Sequence, residues 1–104
     1  MHALIESSRE QIAALCQRLG VRRLDVFGSA LREDFEENSS DFDAAVEFSP
    51  APGESGLLRY FSLKQQLESL LQRPVDLVEL SAMPNTRLKR IIERNKVPLY
   101  AAEG

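Results

Sequence analysis

From Asp41 to Phe48 the chain alternates: Phe42, Ala44, Val46 and Phe48 fall on one side of an extended backbone, and Asp41, Asp43, Ala45 and Glu47 on the other. A period of two is the signature of a strand, because successive side chains of an extended chain point to opposite faces. One face of this strand has to cover a core. The other carries two carboxylates, so the segment constrains both the fold and the chemistry.

The flanking segments have a different period. From Ile5 to Leu19 the apolar residues Ile5, Ile12, Leu15, Cys16 and Leu19 recur at helical spacing, and Gly20 follows as a stop. Val21 to Phe27 is rich in β-branched and aromatic residues and ends at Gly28, which predicts a short strand running into a tight turn. Ser29 to Arg32 then reads as the first turn of a short helix, and the acidic stretch Glu33 to Ser40 as an exposed connection. Ser49 to Ser55, with Pro50, Pro52 and Gly53, is a loop.

Leu57, Leu58, Phe61, Leu67, Leu70 and Leu71 predict a second amphipathic helix that stops before Pro74, since a residue preceding proline avoids the α region. Val75 to Leu80 is a nearly continuous apolar run interrupted by Asp76 and Glu79, and reads as a buried strand with a charge inside it. Pro84 is expected in the first turn of a last helix, whose apolar face is Leu88, Ile91 and Ile92 and which ends before Pro98. Strands separated by helices predict an α/β or α+β domain, a small sheet covered by helices. One domain over residues 1–104 is the expectation at this length.

Composition narrows the function classes. Thirteen Lys and Arg against sixteen Asp and Glu give a net charge of -3, which disfavours a chain whose main task is to coat nucleic-acid phosphates. The single cysteine, Cys16, rules out an internal disulfide framework and falls on the apolar stripe of the first helix as a core residue. No apolar run suits a signal peptide or a membrane span, so a soluble, cytoplasmic protein is expected. A domain of this size buries roughly two thirds of its unfolded surface, which makes support from a partner chain, identical or different, plausible. Arg87, Lys89, Arg90 and Arg94 give the last helix a basic character, suited to a solvated face, to phosphates or to an acidic partner.

Three motifs bear on chemistry. Gly28-Ser29 stands where a strand ends and a helix begins; a glycine there lets backbone approach a ligand, and free amides at a helix start attract phosphate, although a plain turn has the same sequence. Asp41 and Asp43 lie two residues apart on one side of a strand, with Cα atoms about 6.5 to 7 Å apart. They can grip one metal or two neighbouring ones, or form the solvated face of an edge strand. Asp76, a charge within Pro74-Val75-Asp76-Leu77-Val78, needs pairing or a metal if that strand is buried. With its strand beside the first, it would join the pair, and three hard oxygen donors suit Mg²⁺.

The ordered combination of Gly28-Ser29-Ala30-Leu31-Arg32, Ser39-Ser40-Asp41-Phe42-Asp43 and Val75-Asp76-Leu77-Val78 resembles the minimal nucleotidyltransferase family of the DNA polymerase beta-like superfamily. The resemblance runs from the first helix to Tyr100 and implies a nucleotidyltransferase fold, a small mixed sheet flanked by helices. It implies that Gly28 and Ser29 contact the β and γ phosphates of ATP. Asp41 and Asp43 would bind the magnesium ions that carry the triphosphate, while Asp76 completes a second metal site and favours deprotonation of the incoming hydroxyl. Arg32 matches an arginine usual in the family and would serve the phosphates or an acidic partner, or pair with Glu33 or Asp34. The sequence departs from many relatives at Glu33, where they have glycine, and at Ala44 and Ala45, where they have a bulky aliphatic residue, which bears on the shape of the base pocket.

Small members of this family are commonly encoded beside a HEPN-domain ribonuclease toxin. The resemblance therefore implies an antitoxin that transfers AMP from ATP to a tyrosine of a HEPN partner. Two rivals stand beside it: transfer to a small-molecule or RNA hydroxyl, and an antitoxin that neutralises its partner by binding alone.

Overall fold

The computed structural model describes residues 3–28 and 41–102. The first helical stretch is broken into α1 (Ala3–Ser7) and α2 (Arg9–Arg18) at Ser8, whose N–H is shared between the carbonyls of Leu4 and Ile5 at 3.2 Å each. Gly20 turns the chain with φ +72° into β1 (Val21–Phe27). β2 (Phe42–Phe48) matches the alternating segment, and α3 (Gly56–Leu71) is capped by Ser55, which accepts the Leu58 N–H at 3.2 Å. There follow β3 (Val75–Val78), a 3-10 turn at Leu80–Ala82, α4 (Arg87–Asn95) and β4 (Val97–Ala101). The short helix expected at 29–32 and the connection at 33–40 lie outside the described residues.

These strands form one mixed sheet in the order β3-β2-β1-β4. β1 runs antiparallel to both β2 and β4, whereas β2 and β3 are parallel because α3 carries the chain back between them. The even-numbered residues of β1 and β2 meet in the ladder as Leu24 opposite Val46 and Val26 opposite Ala44, and Val75 and Leu77 continue the same face beside Phe42 and Ala44. With Ile12, Cys16, Leu63, Leu67 and Leu71 from the helices, these residues form the core. Arg59 of α3 ties down the sheet's approach loops by donating to the carbonyls of Gly20 at 3.4 Å and Ser49 at 3.0 Å, with its guanidinium 4.8 Å from the Phe48 ring centre.

Four expectations are corrected. β4 was not foreseen, because Pro98 cannot donate to a ladder; it is tolerated here on an edge strand. β3 is the other edge, so it is not buried on both faces: Val75 and Leu77 face the core, but Asp76 is exposed. Pro84 precedes α4 instead of opening it, and Thr86 caps that helix by accepting the Lys89 N–H at 3.3 Å. The apolar faces assigned to α3 and α4 are only half right: Leu57, Leu58 and Phe61 are exposed, as are Leu88 and Ile91, while Leu67, Leu71 and Ile92 are buried, Leu70 is partly buried, and Leu63, outside the assigned face, is buried with them.

Candidate active site

The face of the sheet away from the core is read in rows across the strands. One row is Phe27, Asp43 and Asp76, since Phe27 pairs with Asp43 in β1–β2 and Asp43 with Asp76 in β2–β3. Neighbouring strands are about 4.8 Å apart, so the parallel register alone sets two carboxylates side by side. Asp41 is exposed, one residue before β2 and two before Asp43.

Gly28 ends β1 with φ +73°, and a Cβ there would overlap Asp43 Oδ2 and stand 3.2 Å from its Cγ. The glycine is thus required twice, by the left-handed backbone and by the approach of the Asp43 carboxylate. Ser29 and Arg32, the other residues expected to hold the triphosphate, lie outside the described residues.

β3 is held from its outer edge. Glu68 accepts the Val75 N–H at 3.1 Å, and the Tyr60 hydroxyl donates to the Leu77 carbonyl, so α3 binds backbone groups on either side of Asp76. The Val75 hydrogen bond, helped by Lys64 at 3.4 Å, holds the Glu68 carboxyl below its ordinary range. Tyr60 therefore fixes the strand that bears a candidate site residue.

The next row contains a residue that the sequence reading passed over. Asp25 pairs with Ala45 and is 3% exposed, with Arg23 Nε 2.8 Å from Oδ1 and Lys96 Nζ 3.3 Å from Oδ2. A carboxylate set between the apolar residues Leu24 and Val26 was the available signal, similar to the one applied to Asp76. The structure assigns burial to Asp25 and exposure to Asp76, and two cations offset the cost of the buried carboxylate. The Lys96 contact also shows that α4 lies over this face.

Between α4 and the sheet is a cavity of about 240 Å³ lined by Asp25, Ala45, Leu80, Lys89, Glu93 and Lys96 among others. A second, of about 290 Å³, lies between α2 and α3, away from the carboxylate row and without an acidic side chain. Only the first adjoins residues suited to chemistry. Cys16 is fully buried, and burial pushes its thiol up to about 12, so it is a core group and no nucleophile.

The register brings Asp43 and Asp76 together, but among the described residues no group of three or more His, Cys, Asp or Glu side chains stands in a metal-holding arrangement. The parallel register sets the backbone positions of Asp43 and Asp76 side by side, with Asp41 two residues before Asp43. Carboxylates drawn close repel one another unless a cation lies among them. The donor set itself, carboxylate oxygens only, fits Mg²⁺.

The fold and this row can be set beside known proteins. The family described as Nucleotidyltransferase domain matches residues 8–99, which takes in β1, Gly28, the carboxylate row and Leu99 of β4. The chain belongs to the nucleotidyltransferase domain family. Within it, the chain is 38% identical over 78 residues to protein adenylyltransferase MntA of Thermococcus cleftensis, covering 75% of each protein. A solved structure assigned to the minimal nucleotidyltransferases superposes with a TM-score of 0.71 at 36% identity, over 89% of this chain and 90% of that one.

A complex of an MNT antitoxin with a tri-AMPylated HEPN toxin from Shewanella oneidensis gives a TM-score of 0.65 at 21% identity, over 94% of this chain and 73% of the other. That likeness concerns the fold. The expected family and the mixed α/β architecture are both met, and this nucleotidyltransferase is an enzyme by class. Among its described residues no helix is long and apolar enough to cross a membrane.

Proposed function

We propose that this nucleotidyltransferase transfers AMP from ATP to a hydroxyl, most specifically a tyrosine hydroxyl of a HEPN-domain toxin, and so acts as an antitoxin. The observation that carries the reading is the pairing of Asp43 with Asp76 across β2 and β3, with Gly28 closed against the Asp43 carboxylate. The adenylyltransferase relative and the AMPylated toxin complex support the choice of donor and acceptor.

Asp41, Asp43 and Asp76 would hold Mg²⁺, which when bound neutralises phosphate charge and assists in-line displacement at phosphorus. Gly28 and Ser29 receive the β and γ phosphates, with Arg32 as a further cation for them. Asp76, exposed on the edge strand, is open to an incoming chain and takes the proton of the attacking hydroxyl. The tyrosine oxygen bonds to the α-phosphorus, the bond to the bridging oxygen breaks, and pyrophosphate leaves.

Purified protein incubated with ATP, Mg²⁺ and its HEPN partner should yield a partner heavier by one or more AMP units in intact-mass spectrometry. Asp43→Ala should lower transfer by about 10³-fold or more, the loss of several kcal/mol of transition-state stabilisation. A partner that is inhibited yet never modified would favour neutralisation by binding alone. Transfer undiminished in Asp43→Ala would remove the carboxylate row from the reaction.

A further inference from the structure

α4 turns Ile92 inward, and Lys96 at its C-terminal end binds the Asp25 carboxylate, so the helix lies against the sheet on the side of the carboxylate row. Outward it presents Leu88, 58% exposed, and Ile91, 43% exposed, which share a stripe at a spacing of three. Arg87, Arg90 and Arg94, all exposed, run along the flank of that stripe at spacings of three and four. The outer face of α4 is thus apolar along its middle and cationic along one side.

The charges cost the helix stability. None of the three arginines makes a hydrogen bond or ion pair among the described residues, and Glu93, the one acid on α4, pairs with none of them. Arg87 stands in the first turn, where the helix dipole disfavours a cation, and Arg90 and Arg94 are like charges four residues apart. With Lys89, four of the chain's thirteen Lys and Arg fall within residues 87–94 of a protein whose net charge is -3. Carboxylates brought from outside would relieve this local positive field.

We propose that this face docks the acceptor protein, through a segment that seats apolar side chains on Leu88 and Ile91 and sets carboxylates against Arg87, Arg90 and Arg94. The inference rests on the nucleotidyl-transfer reading for who the partner is, and deepens that reading by naming the surface that holds it. A second copy of this chain, docked face to face about a two-fold axis, would set the arginines of one stripe against those of the other. A nucleic acid would use the arginines but leave Leu88 and Ile91 without an apolar counterpart. The carboxylate row is close to such a partner: Asp25, held by Lys96, is two residues, about 6.6 Å, along β1 from Phe27, whose ladder partner is Asp43.

Calorimetric titration of the full chain with its HEPN partner, without nucleotide, tests the docking face. Arg90→Glu/Arg94→Glu should weaken binding about tenfold or more, Ile91→Ala about tenfold, and Arg90→Lys/Arg94→Lys should keep most of the affinity. Wild-type binding should weaken as salt is raised, and the charge-reversed variant should lose most of that dependence. All three side chains are exposed, so the urea midpoint should stay in place and a lost affinity reports a lost contact.

Wild-type affinity in either the charge-reversed or the Ile91 variant would overturn the assignment, as would a wild-type chain that does not bind the partner. So would a wild-type dimer in sedimentation velocity that Ile91→Ala splits, which would give the face to a second copy. A single-stranded RNA bound by the wild type and lost in Arg90→Glu/Arg94→Glu, with partner binding intact, would overturn it in favour of nucleic acid. Asp43→Ala separates the two proposals, since it should bind the partner like the wild type while failing to modify it. Undiminished transfer in that variant sinks the carboxylate reading, while the binding data on α4 decide the docking face independently.

Discussion

On the face of the sheet covered by α2 and α3 the central residues are Leu24, Val26, Phe42, Ala44, Val46 and Leu77, all apolar and buried. On the opposite face the same three strands carry Asp25, Asp43, Glu47 and Asp76. One residue of register separates the two sets, because the pleat sends neighbouring side chains to opposite sides. The first face holds the fold together by excluding water. The second keeps water, a cation or an ion pair within reach of every carboxylate, and there charge can be used chemically.

If this division is real, substitutions on the two faces should fail in different assays. Phe42→Ala, in the centre of the core face, should cost about 3 to 5 kcal/mol in urea unfolding. The neighbouring Asp43→Ala should leave that transition nearly in place while abolishing transfer. A joint loss of stability and activity in Asp43→Ala would break the comparison.

Gly28→Ala lies at the seam between the faces. A side chain at φ +73° beside the Asp43 carboxylate should cost about 1 to 2 kcal/mol of stability and displace the carboxylate, so activity should fall further than unfolding accounts for. Gln72→Gly works in the other direction on the core side. Gln72 ends α3 with φ +55°, and glycine there should raise stability by about 1 kcal/mol, or Tm by about 4 to 8 °C in calorimetry, without touching activity.

The smallest expected effect is a pH dependence at β3. Glu68 is held below its ordinary range by the Val75 N–H, so its contribution is present above the unfolded carboxylate range and is lost as pH falls through the lowered folded value. Hydrogen exchange at the Val75 amide should therefore speed up on acidification below about pH 4 relative to intrinsic rates. Glu68→Gln should remove most of that pH dependence while keeping an acceptor in place.

Much of the fold was legible locally. The period of two in Phe42–Phe48, the helical spacing before Gly20 and the proline stop after α3 depend on neighbours in the chain, and all three are met. β4 was hidden by Pro98, which reads as a strand breaker until the strand is known to be an edge. The exposure of Leu57, Leu58 and Phe61 was hidden too, since helical spacing fixes which residues share a face but not how much of that face is covered.

By itself the sequence determined the types of the helices and of β1 to β3, the parity of β2 and the order of Gly28, Asp41, Asp43 and Asp76, because backbone sterics, side-chain periodicity and chain order are local properties. Only the tertiary structure decided that Asp43 and Asp76 stand side by side, that Asp25 is the buried carboxylate and Asp76 an exposed one, and that α4 closes a cavity over Ala45. Those outcomes depend on strand order and parallel register, which are set by the helix that crosses between two strands and not by either strand alone.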